Sequence, residues 1–368
     1  MSALRHDASP PSAAQPVRIT RHGLETFCRL VLAAAGADET TASAATRAMM
    51  HGSLLGIDSH GVRLTGHYVK AIEGGRVNGR PRLTVTPTAS AAAILDGDDG
   101  HGAVATYAAM ERACQLAERA GVGAVAIRRS SHFGAAGAYA LAAAEAGLIG
   151  IAVCNSDSFM RLHGGAERFH GTNPIAAAVP VGGQRPWLLD MATSAIPYNR
   201  VLLYRSLGLA LPEGVASDGE GIDIDDPHGV EMLAPLGGAF GHKGAGLAGL
   251  VEILSAVLTG MKLSFDIAPM GGPDFATPRA MGAFVIAIRP EAFIARETFE
   301  AAMHRYLDHL RSSRTAPGAA VMAPGDREWA EADRRALAGV PVDPVTIEDF
   351  TALSKRLGIA MPAFDCVQ

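Results

Sequence analysis

The chain has 368 residues, enough for two or three lobes at ~150 residues per domain and for a sizeable buried core. A net charge of −5 and a pI near 6.2 leave no broad cationic surface for nucleic-acid phosphates, while 48% hydrophobic and 19% charged residues mark a packed globular protein. The longest apolar stretches, Ala135–Ala144 and Leu247–Thr259, are too short for a membrane span or carry a charge, Glu252. The N-terminus lacks the apolar core of a signal peptide, and Cys28, Cys114, Cys154 and Cys366 follow no paired spacing. These features set the expectation of a cytoplasmic protein with no nucleic-acid or membrane partner and no disulfide frame.

In chain order, residues 1–17 mix Ser, Ala and Pro and read as a disordered arm. From Leu24 to Leu55 apolar residues recur at three-to-four spacing with a break at Gly36 and Asp38, predicting two helices, and a short helix is expected around Tyr68–Ile72. Short β-prone runs then alternate with Ala-rich helical ones. Strands are predicted at 83–85, 92–95, 123–127, 148–153, 175–179, 187–190 and 283–288, and helices at 103–120, 135–146 and 247–258. Amphipathic helix returns at 291–310 and 347–357. The predicted fold class is α/β, with an α/β domain over 78–290 and a helical domain built from 18–77 plus 291–368; no repeat of 20–50 residues is visible.

Three segments carry the chemistry. Ser59-His60-Gly61-Val62-Arg63 sets a hydroxyl beside an imidazole and a guanidinium: the first can orient the ring, the ring can carry a proton, and the Arg63 fork matches a carboxylate. A helix cap followed by a surface arginine would use the same residues. Ser130-Ser131-His132-Phe133-Gly134 lies between a predicted strand and a helix start, where open α/β sheets place ligands, and the helix end disfavours an imidazolium at His132. Gly134, Ala135, Ala136 and Gly137 are small enough to admit a phosphate. Gly244-Ala245-Gly246-Leu247-Ala248-Gly249 matches G-x-G-x-x-G, but a glycine-rich loop precedes it instead of a strand, so it is not read as a Rossmann fingerprint. What remains is a loop carrying His242 and Lys243 into a helix N-terminus, an anion site. Gly171-Thr172-Asn173-Pro174 and Pro324-Gly325-Asp326 read as turns, and Asp190-Met191-Ala192-Thr193-Ser194 offers an acid and two hydroxyls to ribose or amide groups. No histidine pair has the i, i+4 spacing of a helical zinc site, so no metal is expected.

Taken in order, these segments, with Tyr68, resemble the type-two malate/L-lactate/sulfolactate dehydrogenase family, which includes ureidoglycolate dehydrogenase and piperideine-2-carboxylate reductase branches and is unrelated to the Rossmann lactate dehydrogenases. The resemblance spans about residues 18–360. It implies a non-Rossmann nicotinamide-binding mixed-sheet domain plus a helical domain from both termini, and a homodimer with its active site between domains. The activity it implies is hydride transfer between NAD or NADP, with NAD favoured, and a small 2-oxo acid; the alternative is a cyclic imine acid such as Δ1-piperideine- or pyrroline-2-carboxylate. A nucleotide-binding protein without turnover is the further alternative.

The resemblance further implies site roles. Ser59 and His60 match the relay serine and proton donor of some members, and His132 matches the proton acceptor of others. His60 is favoured, because His132, Phe133, Gly134, Ala135 and Ala136 fall where the cofactor should lie. Arg63 and Tyr68 would bind the substrate carboxylic acid. Ser156, Thr172, Asn173, Asp190, Met191, Ala192, Thr193, His242, Lys243, Pro324, Gly325 and Asp326 fall at cofactor-contact positions. The chain departs from the family pattern at Leu64, where many members carry the arginine, at Arg161-Leu162-His163-Gly164-Gly165, and at Asp326 in place of Glu.

Overall fold

The structure is a computed structural model and describes residues 17–365. Its centre is a seven-stranded mixed sheet in the order Thr84–Ala89, Ala92–Asp96, Val122–Ser130, Met281–Ile288, Ile149–Cys154, Ile175–Val179, Trp187–Met191. Within it only Ala92–Asp96 and Val122–Ser130 run parallel; every other neighbouring pair is antiparallel. The strand Met281–Ile288, far along the chain, inserts between two strands that are near neighbours in sequence.

Small residues let helices lie close on this sheet. Helices Gly102–Ala120 and Gly137–Glu145 bury Ala103, Ala105, Ala109, Ala113, Ala140 and Ala143 against Val125, Ile127, Ala152 and Val285. A Cβ at Gly123 would stand 2.0 Å from the Ala113 carbonyl oxygen, and one at Gly150 would stand 2.4 Å from that of Ala140, so these helices reach the strands only because both positions are glycine.

A second core joins the chain ends. Helices Arg21–Ala34, capped by Thr20, and Glu39–Leu54, capped by Asp38, pack with Thr65–Glu73 and Pro344–Leu357 around Leu24, Phe27, Val31, Met49, Tyr68 and Phe350. The strand Val17–Ile19 pairs antiparallel with Val340–Val342 and with Phe364–Asp365. Residues 1–16 of the expected arm lie outside the described residues, and Val17 opens this strand instead.

Four other elements differ from expectation. A sheet of strands two or three residues long, in the order Ala216–Ser217, Met232–Leu233, Met160–Arg161, Arg168–His170, is too short to show a period of two in the sequence. The helix expected from Glu291 begins at Arg296, after a 3-10 turn at Pro290–Ala292, and runs to Arg311. Pro324-Gly325 opens a helix, Asp326–Ala338, where only a turn was expected. The apolar helix expected at 247–258 starts at His242, runs as α-helix to Glu252 and becomes π-helical at Ile253–Val257, with Leu247, Leu250, Ile253, Val257 and Leu258 exposed.

Candidate active site

The first half of the site is fixed by contact between glycines and backbone. After helix Glu39–Leu54 the chain makes 3-10 turns at Asp58–His60 and Val62–Leu64. A Cβ at Gly52 would meet the His60 carbonyl at 2.7 Å, and one at Gly61 would meet Ser53 Oγ at 2.2 Å, so the turn lies directly on the helix. Val62 N donates to Ser53 Oγ at 2.9 Å. Asp58 is held by buried Arg335 of helix Asp326–Ala338, with Nη2 donating to Oδ2 at 2.9 Å. The Ser59 Oγ and His60 Nδ1 atoms, 2.9 Å apart, share a hydrogen bond.

The second half comes from the end of strand Val122–Ser130. Ser131 is structural, with its Oγ donating to the Gly100 carbonyl and accepting from Gly102 N. Phe133 is buried against Tyr139, whose hydroxyl donates to the Phe133 carbonyl. Between them His132 is half-buried, with its Nδ1 2.9 Å from the Tyr68 hydroxyl. The rings of His60 and His132 stack with centroids 5.8 Å apart and planes 23° apart. Tyr68 is itself held edge-on by His101 at 4.2 Å, and His101 Nδ1 accepts from Ala103 N at the start of helix Gly102–Ala120.

Electrostatics keep both rings neutral. Burial lowers His60 below the ordinary imidazole value. His132 is driven well below it by burial first, then by the nearby charges of His60, His67, Arg279 and His101. Burial pushes the Tyr68 phenol upward, so it stays protonated and can donate to His132. Asp190, half-buried and with its Oδ2 accepting from Gly137 N at 2.9 Å, has its carboxyl raised to about 6 by desolvation.

The other sequence-predicted residues divide into groups. Thr172, Asn173, Ser156 and Thr193 form one network: Thr193 Oγ1 donates to the Thr172 and Asn173 carbonyls, Thr172 N to Ser156 Oγ, and Ser156 N to Asn173 Oδ1. Its hub is Glu252, whose carboxylate accepts from Asn155 Nδ2, Asn173 Nδ2, Ser264 N and Ser264 Oγ. Asp190, Met191 and Ala192 follow along the edge strand, and Leu188 N donates to the Pro324 carbonyl, which sets Pro324 and Gly325 beside that strand. The Asp326 carboxylate is occupied by Arg311 at 2.7 Å and by Ala323 N. His242 and Lys243 are exposed at a helix start, with Lys243 Nζ 5.3 Å from the Phe240 ring centre and His242 near His163. Arg63 is exposed and makes no hydrogen bond or ion pair among the described residues.

A model of the malate/L-lactate dehydrogenase family matches residues 19–351. The chain belongs to that family. It is 35% identical to a malate dehydrogenase of Pyrococcus abyssi, the match covering 93% of this chain and 96% of that one. It is also 31% identical to the Δ1-pyrroline-2-carboxylate/Δ1-piperideine-2-carboxylate reductase of Pseudomonas putida, covering 95% of this chain and 100% of the relative. The crystal structure of malate dehydrogenase from Entamoeba histolytica superposes with a TM-score of 0.89 at 30% identity, covering 95% of this chain and 100% of that one.

Membership of a dehydrogenase family implies a nicotinamide cofactor, and the backbone at the sheet end is open at Gly134. Gly134 has φ +80, and a Cβ there would find nothing nearer than 3.9 Å, with the His60 carbonyl and the Tyr68 hydroxyl the closest atoms. Ser130 Oγ and Asn155 Oδ1 are buried without a protein partner on the same strand ends.

Sequence reasoning missed Glu252, His101 and Arg279 of this family member. Glu252 was visible as the one charge in an apolar helix. Arg279 stands just before strand Met281–Ile288 and is buried, and nothing in its local sequence points to His132.

Proposed function

We propose that the protein interconverts a small 2-oxo acid and its 2-hydroxy acid at the expense of a nicotinamide dinucleotide bound outside any Rossmann frame. The observation that carries the reading is the stacked pair His60 and His132, each neutral and each sharing its Nδ1 hydrogen bond with a separate hydroxyl. Because Nδ1 of each ring is engaged, Nε2 is the atom free to exchange a proton with substrate.

His60 is the proton carrier. Burial lowers His60, while His67, Arg279 and His101 add to the depression at His132 besides the repulsion the two rings share; a ring nearer the working pH transfers a proton more readily. Ser59 orients His60. His132, fixed by the protonated Tyr68, lines the substrate side as a neutral ring. When bound, the nicotinamide supplies or accepts the hydride at the substrate's second carbon. Asp190 through Thr193, Ser156, Thr172 and Asn173, with Gly134 through Ala136, are the residues that would hold the dinucleotide, and the His242-Lys243 and Pro324-Gly325 segments would complete its contacts.

The same reading takes the protein as a cytoplasmic homodimer with the helical and α/β parts as separate domains. Free thiols at Cys28, Cys114 and Cys154 support a reducing compartment. The exposed apolar stripe Leu247, Leu250, Ile253 and Val257 supports burial against a second copy.

The test follows absorbance of NADH and NADPH in parallel across a panel of 2-oxo acids and Δ1-piperideine-2-carboxylate. Turnover confined to 2-oxo acids supports the reading. Turnover confined to the cyclic imine moves the protein to the reductase branch that the Pseudomonas relative represents.

A further inference from the structure

Strand Met281–Ile288 pairs on one side with Val122–Ser130, where Met281 lies opposite Ser130, and on the other with Ile149–Cys154, where Ala283 lies opposite Cys154. Following those antiparallel neighbours past the sheet end, the residues before Met281 run alongside the residues after Ser130 and after Cys154. Arg279 thus leaves the sheet at the same end as His132, and its guanidinium pairs with Asp157, which follows strand Ile149–Cys154. The backbone turns sharply between Arg279 and the strand, with Ala280 at φ +49 and its carbonyl accepting from Lys262 N.

Arg279 is 2% exposed. Its Nε donates to the Ala268 carbonyl at 2.9 Å and its Nη2 to Asp157 Oδ1, while Nη1 donates to no protein group among the described residues. A guanidinium has five N–H groups, and Nη1 is not sealed off inside the protein, so it can meet an acceptor that comes from outside. Arg76 is also buried, with Asp274 and Asp157 acting on it, and is stacked on Phe275 at 4.7 Å, and Phe275 in turn touches His67, the neighbour of Tyr68. The charges of Arg279, Arg76 and Lys70 all act on His67, with only Asp157 opposing them. A carboxylate on the His132 side would give Nη1 its acceptor.

We propose that Arg279 binds the substrate carboxylate in this chain. The assignment rests on the 2-oxo acid reading above. Arg63 is exposed and unpaired, whereas the Arg279 guanidinium is already desolvated and held in place by Asp157 and Ala268, so a carboxylate gains a charge-assisted pair without ordering a mobile side chain. The Asp157 carboxylate competes for the same guanidinium and sets how tightly an acid is held.

The experiment measures binding of oxamate, a 2-oxo acid isostere, and of uncharged oxamide, by calorimetry with the folded full chain, with and without saturating NADH. Wild type should prefer oxamate by about 10²-fold, as expected for a charged pair in a desolvated site. Arg279→Gln should bring the two ligands to near-equal affinity, and Arg63→Ala should keep the preference. A merely structural role would weaken both ligands together and leave their ratio intact. Asp157→Asn keeps the cation and removes its competitor, so oxamate should bind several-fold tighter. No carboxylate preference in wild type, a preference that survives Arg279→Gln, one that disappears in Arg63→Ala, or weaker oxamate binding by Asp157→Asn would each overturn the proposal. Oxamate binding as expected, with no turnover of any 2-oxo acid, would instead overturn the dehydrogenase reading and leave the carboxylate site standing.

Discussion

His60 and His132, 72 residues apart in the chain, lie face to face with ring centroids 5.8 Å apart, and no hydrogen bond joins them. Two imidazolium ions at that distance would repel, so protonating one ring opposes protonating the other. The pair therefore handles one proton at a time.

This coupling fixes a pH dependence. Oxidation of a 2-hydroxy acid needs a neutral base, and His60 is depressed below its ordinary value of 6.5. The rate of oxidation should be level from neutrality down to about that value and fall at lower pH, while reduction, which consumes a proton, should gain as pH falls. Initial rates in both directions between pH 5 and 8 check it; an oxidation limb centred above pH 7 would contradict a depressed imidazole.

Acid stability should follow from three desolvated histidines outside the proton transfer, His101 buried and His51 and His67 half-buried. His51 and His67 are each lowered to about 4 and His101 to about 3, all mainly by desolvation. The unfolded chain binds protons at these rings below about pH 6.5 and the folded chain does not, so they remove stability progressively as pH falls from 6.5 toward 4. Asp190, raised to about 6, works in the opposite sense: its contribution is present below the unfolded carboxyl value and lost as pH rises through 6. With His60, His132 and His170 also lowered, the imidazoles outnumber Asp190, so Tm should drop between pH 6.5 and 5, and His51→Gln should flatten that slope.

Glu252 should be a stability residue. Glu252→Ala strands the donors of Asn155, Asn173 and Ser264 in a buried place, a loss of roughly 3 kcal/mol or more in denaturant unfolding. Glu252→Gln, which keeps one acceptor oxygen, should lose less.

Ile253→Asp places a charge in the middle of the exposed apolar stripe. Light scattering should give twice the 38.1 kDa chain mass for wild type and close to the single-chain mass for the variant. A wild-type monomer would remove the dimer from the proposal.

Much of this was legible locally. The strand Ile175–Val179 and the helix Gly102–Ala120 match their expected bounds within a residue, because each shows a clear period or an Ala-rich run bounded by turn residues. Ser59-His60 and His132 were identifiable as chemistry-bearing turns, and the structure brings them together. What local sequence does not encode is strand adjacency. Arg279 is 147 residues from His132 and stands at the same sheet end only because Met281–Ile288 inserts between Val122–Ser130 and Ile149–Cys154. The π-turn at Ile253–Val257 is of the same kind: Gly282 of that inserted strand lies so close that a Cβ would stand 1.7 Å from the Ser255 carbonyl oxygen, a contact invisible in the apolar run itself. Asp326–Ala338 was overlooked because its surface is polar and its helical start, Gly325 at φ +96, reads as a plain turn.

Single-turnover reduction of a 2-oxo acid by the NADH-loaded protein, compared across wild type, His60→Ala and His132→Ala, bears most directly on the chemistry. Loss of a positioned proton carrier should slow the His60→Ala step by 10²–10⁴-fold with NADH affinity nearly unchanged, and His132→Ala should slow it far less. A His60→Ala protein that retains the wild-type rate while His132→Ala loses it would contradict the assignment.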